Sequence, residues 1–147
     1  MSPGLRIIAG IRKFLSIVFD TEALLIFYLD EPGADTVKEL LEKTQSGERA
    51  GYLNIVNLTE FSYILQRHDG ELAQEKERNL RAFGLEIVPV MDNELWRVAA
   101  GIKAKHPLSL ADSFAAATAQ IKGARLVVGR DEEYKSVGLS LIRLRKS

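Results

Sequence analysis

The sequence predicts an α/β fold in which a parallel sheet is covered on both faces by helices. Three observations predict it. Short apolar runs that suit fully buried strands recur along the chain, stretches with a single helical stripe stand between most of them, and glycine, proline or an acid punctuates most elements. Strand regularly alternating with helix argues for a parallel, three-layer arrangement. The chain has 147 residues, the size of one ordinary domain, so residues 1–147 are read as one unit, with Met1 to Phe14 as a possible extension.

Leu15 to Phe19 is an apolar run stopped by Asp20, the pattern of a strand buried on both faces. Ala23 to Leu29 is too short and too uniformly apolar to show one face. It reads as a helix buried in the core or in a subunit contact, ended by Glu31-Pro32-Gly33. From Ala34 to Thr44, Val37, Leu40, Leu41 and Thr44 keep helical spacing, and Gly47 stands where a helix stops. Tyr52 to Val56 is the second strand. Phe61, Ile64, Leu65 and His68 fall at i, i+3, i+4 and i+7, one helical stripe. Glu71 to Phe83 is a solvated helix whose apolar face is only Leu72, Leu80 and Phe83, with Gly84 as its stop.

Glu86 to Val90 is the third strand. Its Pro89 cannot donate to a ladder, which places the strand at a sheet edge. Leu95, Val98, Ala99 and Ile102 mark a helix closed before Pro107. Leu110, Phe114, Ala117 and Ile121 mark another, stopped by Gly123, and Leu126 to Val128 and Leu139 to Leu144 are the last strands.

Composition excludes more than it selects. Twenty Lys plus Arg balance 20 Asp plus Glu, so no global field attracts a polyanion, and such a partner needs local basic patches or bound metal. There is no cysteine, which removes disulfides, thiolate zinc sites and cysteine nucleophiles, and suits a reducing cytoplasm. Arg12 and Lys13 break the apolar stretch Leu5 to Phe19, so it does not read as a signal peptide. No run approaches the ~20 apolar residues of a membrane span. A soluble, cytoplasmic protein with no membrane partner is expected.

Four acids stand in equivalent places. With right-handed crossovers, parallel strands end at one rim of the sheet, and ligands bind in the crevice outside it. Asp20 directly follows the first strand, Glu60 lies four residues past the second, and Asp131 lies just past the fourth. Asp112 opens the helix that feeds the fourth strand, so it starts at that rim as well. Each acid also has a plain structural explanation. Ser109 with Asp112 and Asn57 with Glu60 fit capping-box spacing, Asp20 suits a helix N-cap and Asp131 a turn. Capping, however, does not require four acids to converge on one crevice. Gathered carboxylates repel unless a cation compensates, and oxygen ligands suit one or two Mg²⁺ or Mn²⁺ ions. Two such ions, roughly 3.5–4 Å apart, can drive in-line phosphoryl displacement without histidine or cysteine.

The segments VFDTEALLIFYL from Val18, NLTEFSYIL from Asn57, LSLADSFAAATAQIKGARLVV from Leu108 and GRDEEY from Gly129 together resemble the PIN-domain family, most closely its VapC-type toxin ribonucleases. The resemblance spans nearly the whole chain after about residue 15, and its specificity lies in the ordered set. It implies a three-layer α/β sandwich with a central, mainly parallel five-stranded sheet of order 3-2-1-4-5. It also implies Asp20, Glu60, Asp112 and Asp131 as catalytic and metal-binding acids, with Mg²⁺ or Mn²⁺ as cofactor. The partners it implies are an RNA substrate, a second copy in a homodimer and a cognate antitoxin. Two positions depart from the pattern. Gly129 stands where a Thr or Ser is common, and Glu22 where a small polar residue is common. Two other readings are a housekeeping RNA-processing nuclease and a catalytically inactive binding module, which Gly129 favours.

Thr21 and Arg130 are the candidate substrate contacts, Arg130 because it adjoins Asp131. The remaining basic residues, Arg6, Arg12, Lys13, Lys122, Arg125, Arg143, Arg145 and Lys146, read as solvated faces. His68 and His106 read as structural, and Trp96, beside the Leu95 stripe, as core.

Overall fold

The computed structural model describes residues 16–130 and 132–144. Leu15, the possible extension Met1 to Phe14 with Arg6, Arg12 and Lys13, the candidate ligand Asp131, and Arg145 and Lys146 lie outside the described residues. Strands β1 (Ile17–Phe19), β2 (Gly51–Asn54), β3 (Glu86–Val88), β4 (Arg125–Val128) and β5 (Leu141–Arg143) form one sheet of order β3-β2-β1-β4-β5. Every pairing is parallel. The expected architecture and strand order both hold. β3 lies at an edge, and Pro89 follows its last residue, where no ladder donor is needed.

The central strands explain why a sheet forms between two helical layers. Side chains alternate across a strand. In β1, Ile17 and Phe19 enter one core while Val18 enters the other, all fully buried. In β4, Val127 joins the first core, and Leu126 and Val128 the second. The first core is closed by α1 (Thr21–Tyr28), α2 (Ala34–Gln45), α3 (Ile55–Gln66) and α4 (Gly70–Ala82), the second by α5 (Asn93–Lys105) and α6 (Leu110–Lys122). Phe19, Phe61 and Leu24 are among the largest fully buried side chains, each contributing roughly 1.5–3 kcal/mol by leaving water. On α6, Ala115, Ala116, Ala117 and Ala119 are buried. Their small side chains let the helix lie close to the sheet.

Local chemistry moves some boundaries. The strand expected over Tyr52 to Val56 ends at Asn54, and Ile55 and Val56 open α3. The Asn54 side chain accepts from the Val56 amide at 2.8 Å and starts the helix there. The same side chain donates to Thr118 Oγ1 at 2.9 Å, tying β2 to α6. Asn57 is therefore no cap; it is fully buried inside α3. A 3₁₀ segment, Glu132–Val137, follows β4 where no element was expected. Trp96 is not core. It is 44% exposed, with its indole N–H on Asn93 and Arg97 over its ring, because the buried stripe of α5 runs through Leu95, Ala99 and Ile102 instead. No helix among the described residues is long and apolar enough to cross a membrane.

Candidate active site

All five strands end at one rim, and the helices that follow β1 and β2 start there. Asp20 sits at the junction of β1 and α1. Its backbone N–H bonds Val127 O of β4 at 3.1 Å, and its side chain caps α1 by accepting from Ala23 N at 2.7 Å. α6 ends just before β4, so its N-terminus returns to this rim. There Ser109 caps it, Oγ accepting from Asp112 N at 3.1 Å. The cap leaves the Asp112 carboxylate, in the first turn, free of capping duty.

The carboxyl of Asp20 is almost wholly removed from water. Burial raises its pKa well above the usual carboxylate range. The Ala23 amide opposes this, the charges of Asp112 and Glu22 add to the rise, and the Tyr134 hydroxyl opposes it again. Tyr134 donates to Asp20 Oδ2 at 3.3 Å and also interacts with Asp112. Its own pKa is driven far up, first by burial and then by those two charges. The phenol thus remains a donor between two carboxylates. Asp20, Asp112, Glu22 and Tyr134 form one electrostatic unit.

A second group holds that unit in register. Asn57 Nδ2 donates to Thr21 Oγ1 at 3.2 Å and to Ala111 O at 3.0 Å, and Thr21 Oγ1 donates to Asn57 O at 3.4 Å. Thr21 and Ala111 are the chain neighbours of Asp20 and Asp112, so one buried amide on α3 fixes the N-termini of α1 and α6 together. Asn57 Oδ1 is the only buried side-chain oxygen or nitrogen among the described residues that lacks a hydrogen-bond partner. Asn57→Ala should lower stability by about 2–3 kcal/mol, because it orphans Thr21 and Ala111 and leaves a small void. Denaturant melting measures that loss. A change below about 0.5 kcal/mol would show that the clamp is not under load.

The sequence-derived candidates are placed unevenly. Asp20 and Asp112 are brought together. Glu60 is half-buried on α3, one turn beyond Asn57, and makes no hydrogen bond or ion pair among the described residues. Asp131 lies outside the described residues. Thr21 is buried with its hydroxyl engaged by Asn57, whereas Arg130 is exposed just past β4. The basic residues do not form one face. Lys122 ends α6 over the Tyr52 ring and Arg125 opens β4, bonded to Ser140 and Leu141, so both lie at the opposite rim from Arg130. His106 bonds Ser136, and His68 is exposed.

Tyr134 and Asn57 are the site residues that sequence reading missed. Tyr134 stands in the GRDEEY run, a lone aromatic after three acids, which is a detectable but weak signal. Among the described residues no group of three or more Asp, Glu, His or Cys is assembled to hold a metal. The donor chemistry nevertheless fits a hard divalent cation. The facing side chains are oxygen ligands, and a buried carboxylate repelled by two neighbours is one whose charge a cation would offset.

A profile of the PIN domain matches residues 17–139. "Ribonuclease VapC42" of Mycobacterium tuberculosis and "VapC ribonuclease Mb2780c" of Mycobacterium bovis are each 30% identical to this chain over 125 residues, covering 79% of it and 92% of the relative. Among solved structures, VapBC2 of Rickettsia felis bound to a promoter DNA fragment is similar with a TM-score of 0.69 and 18% identity, covering 88% of this chain and 99% of that one. VapC20 of Mycobacterium tuberculosis, described as a sarcin-ricin loop cleaving toxin, has a TM-score of 0.65 and 18% identity, covering 86% and 98%. At these identities the solved structures speak for the fold alone.

Proposed function

The chain belongs to the PIN-domain family, and from that premise we propose that it is a metal-dependent endoribonuclease, the toxin of a toxin–antitoxin pair. The observation that carries the reading is the buried Asp20 facing Asp112 at the strand-end rim, oxygen ligands placed where this topology presents its ligands. Its ribonuclease relatives and the toxin–antitoxin complexes among its structural neighbours support the RNA substrate and the antitoxin partner.

Asp20 and Asp112 would hold the ion, with Glu60 and Asp131 completing the acidic set. A bound Mg²⁺ or Mn²⁺ supplies an activated water and offsets charge on the phosphate. The protein's own part is pre-organisation. Asp20 is locked by the Ala23 amide and Tyr134 hydroxyl, and Asn57 keeps the two acid-bearing helix starts in register. Hydrogen bonds fixed before reaction need no reorganisation during it. Arg130, exposed beside the rim, meets a substrate phosphate. Thr21 serves by holding α1 against α3.

Single-stranded RNA incubated with Mg²⁺ or Mn²⁺ tests the reading. Cleavage should disappear in EDTA and return with either ion. Absence of cleavage over a broad RNA panel, together with a melting temperature indifferent to both ions, would reject the nuclease and leave a binding module on this fold.

A further inference from the structure

The two departures from the family pattern are one feature. A Cβ built on Gly129 would stand 2.6 Å from Glu22 Cδ, 2.8 Å from Cγ and 2.8 Å from Oε1. Real Cβ atoms do not approach other atoms so closely, so the Glu22 side chain fills the space that any side chain at 129 would claim. Gly129 follows β4 and is buried, and Glu22 belongs to the first turn of α1. An acid in a first turn is explained by the helix dipole alone. That explanation is indifferent to direction, and leaves a long side chain no reason to fold inward over a bare backbone. This one lies against Gly129, on the strand end next to β1, close enough to Asp20 for the two charges to repel.

Turning a carboxylate toward an acidic, buried neighbour is unfavourable unless something there offsets the charge. We propose that Glu22 is a working carboxylate of the cation site, seated in the niche that Gly129 leaves, so that the pair replaces a small polar residue at 22 and a hydroxyl at 129 by one acid. This rests on the metal-dependent reading above and adds a residue to it. The glycine is then required by the glutamate. Any side chain at 129 evicts Glu22, and a short residue at 22 makes the niche available again.

Mn²⁺ binding to the full-length chain, followed by calorimetry, and metal-free melting temperature test this. The variants are Glu22→Gln, Gly129→Thr and the double variant Glu22→Ser/Gly129→Thr. Glu22→Gln keeps the niche filled and removes the charge, and should weaken Mn²⁺ binding about tenfold or more with metal-free melting unchanged or raised. Gly129→Thr alone should lower the metal-free melting temperature by several degrees, and Glu22→Ser in the same chain should restore most of it. Wild-type Mn²⁺ affinity in Glu22→Gln overturns this assignment while leaving the metal site standing. Wild-type protein that binds no Mn²⁺ overturns both. Equal melting losses from Gly129→Thr with Glu22 or Ser at position 22 would show that the two residues do not share the niche. If Gly129→Thr fails to fold, recovery of folding in the double variant supports the pairing, and failure of both counts against it.

Discussion

Asp112→Asn is expected to lower RNA cleavage by on the order of 10²–10³-fold without loss of the fold. The substitution keeps the shape of the side chain and removes its charge. The start of α6 does not depend on that charge, because Ser109 Oγ caps it through the Asp112 backbone amide and Asn57 holds Ala111 O. The Tyr134 hydroxyl can still meet an amide oxygen. What disappears is one of the two charges that face each other at the rim, and with it an oxygen ligand fit for a hard cation. A residual rate near wild type, in a variant with wild-type melting and freed of trace nuclease, would remove Asp112 from the machinery. Equal loss of cleavage and of helix content would mean that the residue serves the fold.

The sequence reveals Asp20 and Asp112 as site candidates because topology, not local propensity, places them. Once the strands are read as parallel, the residue after β1 and the first turn of the helix feeding β4 must share a rim. β1 and β4 are themselves legible because strands buried on both faces read as unbroken apolar runs, Ile17–Phe19 and Leu126–Val128. The β2–α3 boundary is hidden for the opposite reason. Ile55 and Val56 are β-branched and apolar, and only the bond from Val56 N to Asn54 Oδ1 turns them into a helix. Trp96 misleads in a related way. It adjoins Leu95 in sequence but stands about a quarter-turn around the helix from it, which carries it out of the core.

Side-chain relations within the site are harder to read. Asn57 and Glu60 have capping-box spacing, and that pattern masks an amide whose partners lie 36 and 54 residues away in sequence. Tyr134 reaches Asp20 across 114 residues from a 3₁₀ segment, which has no apolar periodicity to announce it. The Glu22–Gly129 fit requires both positions to be seen in space, although each is odd against the family pattern alone. Glu60 remains a candidate by position, one turn along α3 from Asn57, and Asp131 by its place after β4.

Asp20→Asn should make the metal-free protein more stable near neutral pH while abolishing metal-supported cleavage. Burial, then repulsion from Asp112 and Glu22, raises the Asp20 pKa in the folded chain, against the Ala23 amide and Tyr134. In the unfolded chain the group returns to about 3.9. Between that value and the raised one the folded state binds more protons than the unfolded state, so stability falls as pH rises across the interval. Asparagine has no such dependence. It caps a helix as well as aspartate does, its oxygen can take the Ala23 amide, and its nitrogen can donate to the Tyr134 oxygen. The variant should therefore gain at least about 1 kcal/mol over wild type in EDTA near pH 7, or about 2–4 °C in melting temperature. The gain should shrink as pH falls and vanish below about 3.9. Added Mn²⁺ should then raise the wild-type melting point by mass action and leave the variant where it was, reversing their order. A variant less stable than wild type in EDTA, by an amount independent of pH, would mean that Asp20 is held for its capping bond and not kept at a cost to stability for its charge.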